Sequence, residues 1–166
     1  DHYLPEFADD FAEMYPEFWG KNVKEPFDAY YKTEIGKLAR VISFGLKDSV
    51  SHVILMQNFV INCGNPSDFF GELEGNQPFV KKYGDVIKKY SALIERAREN
   101  VGKKILFFNY SGDLSISSDV ANELSYLYKG KIIVVAYTNG PFTNISLRGK
   151  NVRDIINDII PQLDGA

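Results

Sequence analysis

The sequence has few of the side chains from which catalytic and metal sites are most often built. Its 166 residues include one cysteine, Cys63, and two histidines, His2 and His52. A single cysteine excludes a disulfide within the chain and a cysteine-rich zinc cluster, and it agrees with a reducing compartment. We interpret Cys63 as a small buried hydrophobic residue. The P-loop, the G-x-S-x-G elbow and the H-E-x-x-H zinc motif are missing as well.

Long apolar runs are also missing, as are basic residues at the start of the sequence. No run approaches the roughly 18 apolar residues that a membrane helix needs. Residues 1–20 contain no lysine or arginine, with which a signal peptide would begin. We therefore expect a soluble protein that works in the cytoplasm and has no membrane partner.

The net charge sets a further limit, because 19 basic and 22 acidic residues leave −3 at pH 7. A protein that grips duplex DNA by itself usually carries a basic excess, so strong nucleic-acid binding is not expected. The acidic residues are concentrated in residues 1–20. This segment is either a solvated face or a docking surface for a basic partner.

Hydrophobic periodicity predicts a helical front part. Apolar residues recur at helical spacing over 27–46 and again over 50–61, which indicates two amphipathic helices. Asp48 or Ser49 can cap the second helix. The turn residues of 62–68 end this second helix.

A long helix is predicted to connect this front part to the rest of the chain. The glycines and proline of 71–78 indicate a loop, and an apolar stripe then runs from 79 to 97. This stripe predicts a helix of about six turns, long enough to bridge two lobes. We expect a helical region over 1–75, a connector helix over 76–101 and an α/β domain over 102–166.

The back part alternates between strand and helix patterns. Apolar runs at 103–110 and 131–139 are rich in strand formers, and a capped amphipathic helix is predicted between them over 117–128. A tight turn at 139–141 lets a third strand, 142–149, run back antiparallel. The predicted fold class is therefore α/β (α+β), with a small mixed sheet and helices packed on it.

A last helix is predicted to follow the third strand. Asn151 is expected to cap it, with Asp154 in the capping-box position. Its apolar stripe is expected to face the sheet. The residues of that stripe are Val152, Ile155, Ile156, Ile159, Ile160 and Leu163.

The end of the third strand is the candidate site. Strand alternation puts Ser146 and Arg148 on one face, which we expect to point away from the core. Gly149 would let a ligand approach the backbone, and the free amides at the start of the helix at Asn151 attract an anion. Together with Lys150 these residues suit a phosphate. The alternative is an ordinary strand end with Arg148 in water.

At these residues the sequence resembles the C-terminal DHH-associated domain of the DHH phosphoesterase superfamily. The resemblance rests on the order of strand, helix, strand and turn, followed by "ISLRGKNVRDIINDIIPQLDGA". It implies that Ser146 and Arg148 lie on the strand that cradles the nucleic-acid backbone in RecJ-type exonucleases, with Asn151 following. The long helix resembles the connector of that family. "TEIGKLARVI" (33–42) is similar to the helical stretch before the connector, most of all in archaeal RecJ-like proteins.

The sequence departs from the family where catalysis would lie. The family holds a pair of metal ions, usually manganese, with aspartates and histidines of an N-terminal α/β domain that has no counterpart here. "DHYLPE" is either a remnant of the DHH motif, with Tyr3 in place of the final histidine, or a chance match. Asp1 and His2 offer two ligands at most, and His52 has no partner motif. "LDGA" stands where the family has the phosphate turn "GGGH".

The resemblance and the departures together imply a non-catalytic relative of archaeal RecJ, similar to replication factors of the Cdc forty-five type. Such a protein would be a scaffold of the archaeal replicative helicase assembly, with the GINS complex and the MCM helicase as partners. It would contact single-stranded DNA weakly and need no cofactor. One alternative is a fragment of a manganese-dependent RecJ-like single-strand exonuclease or nano-RNA phosphoesterase. Another is a protein interaction module without nucleic-acid contact.

Overall fold

A computed structural model describes residues 5–20, 22–70 and 77–162. The fold is mixed, with helices and a small sheet, as the sequence predicts. None of the helices in these ranges is long and apolar enough to cross a membrane. Asp1 and His2, which offer two metal ligands at most, lie outside the described residues. Tyr3, most of the loop predicted at 71–78, and "LDGA", which begins at Leu163, lie outside them as well.

The chain divides into two compact units, Asp1–Ile87 and Lys88–Ala166. The described part of the first unit is built from helices and their connections. These are α1 Pro5–Met14, α2 Pro16–Trp19, α3 Pro26–Lys32, α4 Glu34–Gly45, α5 Val50–Asn62 and α6 Pro66–Phe70. The long helix α7, Gln77–Arg98, is confirmed, and its first half belongs to the first unit and its second half to the second.

The single helix predicted over 27–46 is wrong, because the chain breaks at Thr33 into α3 and α4. Thr33 has an extended backbone (φ −114°, ψ 159°), and its side-chain oxygen accepts a hydrogen bond from the N–H of Gly36 at 3.0 Å. This bond caps the start of α4. Leu38 of α4 is apolar because it packs against Phe69 of α6. The apolar spacing of the sequence therefore continues across Thr33, and the pattern alone does not show the break.

The second unit contains the sheet. Its elements are the second half of α7, β1 Ile105–Ser111, α8 Ser117–Leu127, β2 Ile132–Asn139, β3 Phe142–Arg148, α9 Val152–Ile159 and a 3-10 turn at Ile160–Gln162. The three strands lie in the order β1-β2-β3. β1 and β2 are parallel, while β2 and β3 are antiparallel. The predicted mixed sheet is confirmed.

One face of the sheet, which we call the inner face, forms the core of this unit. Every second side chain of β1 is buried, and in β2 the buried side chains are Ile133, Val135, Tyr137 and, on the opposite face, Ala136. α8 covers this face over β2 and β3, and the second half of α7 adds its apolar stripe. The buried core residues are Tyr90, Leu93, Ile94, Ala97, Leu106, Phe108, Tyr110, Ile116, Val120, Ala121, Leu124, Ile133, Val135 and Tyr137.

The opposite face of the sheet, the outer face, carries apolar side chains that remain in solvent. Ile105, Phe107 and Ile145 are 49%, 55% and 54% exposed. The last helix, whose apolar stripe the sequence predicts to face the sheet, has no fully buried residue. Val152, Ile155 and Ile156 are half-buried, whereas Ile159 and Ile160 are exposed.

Candidate functional site

Ser146 and Arg148 lie on the inner face of the sheet, so the prediction that they point away from the core is wrong. Ser146 is directly opposite Val135 in the antiparallel pair, and Arg148 is directly opposite Ile133. Directly opposite residues share a face, and Val135 and Ile133 are fully buried. Ser146 and Arg148 are themselves half-buried under α8.

Both side chains form hydrogen bonds to α8. The hydroxyls of Ser146 and Ser117 are 3.0 Å apart. Arg148 Nε donates to Asn122 Oδ1 at 2.6 Å, and one terminal nitrogen of Arg148 donates to the carbonyl oxygen of Leu147 at 2.7 Å. A guanidinium has five N–H donors, so three remain for a ligand. Arg148 therefore links β3 to α8, and its remaining donors are the ones that could bind a ligand.

Ser117 also explains why the predicted cap of α8 is wrong. The N-cap position is Ile116, which offers no side-chain oxygen. The hydroxyl of Ser117 is directed to Ser146 instead of to the helix amides. Tertiary contact with β3 has replaced the local capping bond.

The sheet itself requires a glycine at position 149. Its φ is +137°, a conformation that L side chains rarely adopt. A Cβ at this position would lie 3.0 Å from the carbonyl oxygen of Lys131 and 3.1 Å from the Cα of Ile132. The glycine thus lets the end of β3 pass close to the start of β2.

The predicted cap at Asn151 is wrong in its chemistry. Asn151 adopts a left-handed backbone conformation (φ 59°), and its side chain makes no capping hydrogen bond. Its carbonyl oxygen accepts a bond from the N–H of Ile155 at 3.2 Å. The anion-attracting character of this helix start therefore comes from backbone amides. Lys150, just before it, is exposed.

Sequence reasoning missed three lysines that the fold brings to the same place. Lys103 and Lys104 precede β1, and Lys131 precedes β2. Parallel strands begin at the same end of a sheet, and an antiparallel third strand ends there. Lys150, which follows β3, therefore joins them. We call these four lysines the basic end. The predicted order and directions of the strands were the signal in the sequence from which this cluster could have been inferred.

Hydrogen bonds between the segments that precede β1 and β2 confirm this convergence. The N–H of Ile132 donates to the carbonyl oxygen of Lys104 at 3.0 Å. Lys131 Nζ donates to the carbonyl oxygens of Gly102 and Lys103, both at 2.8 Å. The segments before β1 and β2 are thus held side by side.

A second polar cluster lies in the first unit. Asp48 Oδ2 is 2.9 Å from Lys82 Nζ and 3.1 Å from His52 Nδ1, while Asp48 Oδ1 accepts the N–H of Ser49 at 2.7 Å. The hydrogen bond from Lys82, then that from Ser49, lowers the pKa of Asp48 from 3.8 to about 2. His52, which the sequence left without a partner motif, is paired with a carboxylate.

This cluster borders a small apolar cleft of about 70 Å³. The lining residues are Val41, Phe44, Gly45, Asp48, His52, Met56, Lys82, Tyr83 and Val86. At roughly 10–15 Å³ for each water centre, the cleft holds a few waters. Both oxygens of the Asp48 carboxylate accept hydrogen bonds within the cluster, so this carboxylate needs no ligand as a partner. The cluster forms one side of the cleft.

Two further reactive side chains, Cys63 and Asp113, form bonds with neighbouring groups. Cys63 is half-buried instead of fully buried, its thiol donates to the carbonyl oxygen of Phe59 at 3.4 Å, and burial raises the pKa of the thiol. Asp113 lies in the turn after β1 and forms an ion pair with Lys89 at 2.6 Å, whose hydrogen bond lowers the pKa of Asp113. Within residues 5–20, 22–70 and 77–162, no group of three or more His, Cys, Asp or Glu side chains could hold a metal ion.

Comparison of the chain with models of protein families, with curated proteins and with solved structures finds no match. The resemblance to the DHH superfamily therefore rests on the residues quoted above.

Proposed function

We propose that the chain is a non-catalytic relative of archaeal RecJ in the DHH phosphoesterase superfamily. It acts as a scaffold of the replicative helicase assembly, with the GINS complex and the MCM helicase as partners, and it contacts single-stranded DNA weakly. The element order around "ISLRGKN" supports the family, since a mixed sheet follows the long helix α7 and its third strand ends at Arg148.

One observation carries the nucleic-acid part of the proposal. The third strand ends with Arg148, which retains three N–H donors, and is followed within two residues by the exposed Lys150. The open amides at the start of α9 come next. Cations and backbone amides in this order suit the phosphates of a nucleic-acid backbone, which carry no sequence information.

The proposal predicts weak binding that does not depend on base sequence and that salt suppresses. Each phosphate contact contributes a slope of about −0.7 to log affinity against log salt for a single strand. We expect Lys150→Gln to remove about one such contact and to flatten the slope by about 0.7. Fluorescence anisotropy of a labelled single-stranded oligonucleotide, measured over a series of salt concentrations, gives both quantities.

Lys88→Gln is the matched control, since Lys88 is an exposed lysine on α7 outside the proposed site. The control should leave the slope at the wild-type value. If wild type fails to bind at low salt, or if Lys150→Gln and Lys88→Gln give the same curve as wild type, the nucleic-acid part of the proposal is wrong.

A further inference from the structure

We propose that the whole basic end of the sheet binds the phosphates of single-stranded nucleic acid, and that the exposed ring of Phe107 on the outer face stacks on a base. The inference rests on the proposed function for the class of ligand. It adds contacts that the sequence reading did not include: Lys103, Lys104, Lys131 and Phe107.

The charge of the basic end is available to a ligand. Lys103, Lys104 and Lys150 are exposed, and none has an ion-pair partner among the residues that the structure describes. Lys131 is half-buried, and its Nζ bonds carbonyl oxygens alone within the described part of the chain, which leaves its positive charge uncancelled. Four cations thus meet at one end of a three-stranded sheet.

Among residues 5–20, 22–70 and 77–162, the carboxylates next to these segments are too few to cancel that charge. Glu99 lies just after α7, and Asp154 lies in the first turn of α9. Arg148, and Arg153 exposed beside Asp154, bring the number of cations to six. The protein as a whole has a net charge of −3, so a local excess of this kind is a specific feature of this surface.

Phe107 provides an aromatic surface beside the lysines. It follows the start of β1 by two residues, so it lies roughly 7 Å along the strand from Ile105. Its side chain is 55% exposed, and Ile105 on the same face is 49% exposed. A base stacked on an exposed aromatic ring stabilises single-stranded complexes without reading sequence.

This combination favours a single strand over the other polyanions. A duplex keeps its bases stacked on one another, so it would use the lysines and leave Phe107 in solvent. An anionic membrane could use both the lysines and the apolar side chains, which makes lipid binding the competing outcome to test.

The lysine contacts are tested with the double variant Lys103→Gln/Lys104→Gln in the full chain. Two lost contacts should flatten the salt slope by about 1.4. The double variant should also bind about 25-fold more weakly than wild type at 0.1 M salt. This factor assumes that the two proteins bind equally at 1 M salt, where counterion release contributes nothing. The matched control is Lys81→Gln/Lys88→Gln, which removes the same charge from exposed positions of α7.

The stacking contact is tested with Phe107→Ala, which should lower the affinity about tenfold and leave the salt slope unchanged. Phe142→Ala is the control, because Phe142 is 74% exposed and lies at the opposite end of the sheet. Phe107→Leu keeps the apolar volume and removes the ring, so it should lose the same affinity. Circular dichroism of each variant establishes that it is folded before binding is compared.

The outcomes separate this inference from the proposed function. If Lys103→Gln/Lys104→Gln binds like its control while Lys150→Gln is impaired, the inference is overturned and the proposed function stands. If Phe107→Leu binds like wild type, the stacking contact is overturned. If wild type binds vesicles with anionic lipid but no oligonucleotide, and the lysine variant loses vesicle binding, the surface is a lipid site and both proposals fail.

Discussion

The ionisation of Asp48 contributes to the stability of the first unit. Its carboxylate accepts hydrogen bonds from Lys82, Ser49 and His52, and it joins the turn before α5 to the first half of α7. The folded-state pKa of about 2 lies below the ordinary value of 3.8. The stabilisation is therefore present above pH 3.8 and is lost as the pH falls toward 2.

We expect Asp48→Asn to lower the free energy of unfolding by about 1 kcal/mol at pH 7. This value is reduced from the full linkage energy because Lys82 and His52 are each 54% exposed and solvent screens them. Urea denaturation of both proteins at pH 7 and at acid pH measures the difference.

The difference should shrink as the pH approaches 2, where Asp48 becomes protonated. Asp85→Asn, an exposed position on α7, should cost little at either pH. A difference between wild type and Asp48→Asn that is as large in acid as at pH 7 would show that the amide disrupts packing and not an ion pair.

β3 is an edge strand whose free side could pair with a strand of a partner protein. It pairs with β2 along one side, and its other side is an edge of the described sheet. Its one charged residue, Arg148, is turned to the inner face, so the strand lacks the charges that usually protect an edge. Such an edge can accept a strand from another protein.

We expect Ile145→Lys to reduce capture of the chain by the GINS complex, because a charge at the centre of the edge strand opposes strand addition. The side chain of Ile145 is 54% exposed, so the fold should tolerate the change. A pull-down with purified GINS, compared with Asn109→Lys on the other edge strand β1, measures the effect. Undiminished capture of Ile145→Lys would place the docking site away from β3.

Ile145→Lys also separates the two partners of the proposed function. The new lysine adds positive charge to the outer face, so binding of a single-stranded oligonucleotide should be kept or strengthened. Loss of both activities would instead indicate that the substitution disturbs the sheet.

At the scale of the whole molecule, the question is whether the chain cleaves what it binds. We expect no cleavage of single-stranded DNA or short RNA with added manganese, because the ligands that the sequence offers are few. Asp1 and His2 are neighbours, while His52 is bonded to Asp48. A gel-based cleavage assay of the full chain tests this expectation.

Manganese-dependent turnover that disappears on Asp1→Ala or His2→Ala would reverse the conclusion and favour the exonuclease alternative. Turnover that persists in both variants would point to a contaminating nuclease and leave the prediction standing.

The elements of this protein are determined largely by its sequence. The apolar periods predicted α5, α7, α8, α9 and three strands, and the turn at 139–141 predicted that the third strand runs back. These features depend on the spacing of apolar residues along the chain, which can be read directly from the sequence. The candidate position at the end of β3 follows from the same patterns.

Tertiary structure decided which side of each element is covered. Alternation showed that Ser146 and Arg148 share a face, but only the pairing with β2 and the packing of α8 made it the inner face. Thr33 breaks a continuous apolar stripe through its cap. Lysines from three separate segments meet because β1 and β2 are parallel and β3 is antiparallel to β2. Faces and sheet ends are set by contacts between distant residues, and local spacing does not contain that information.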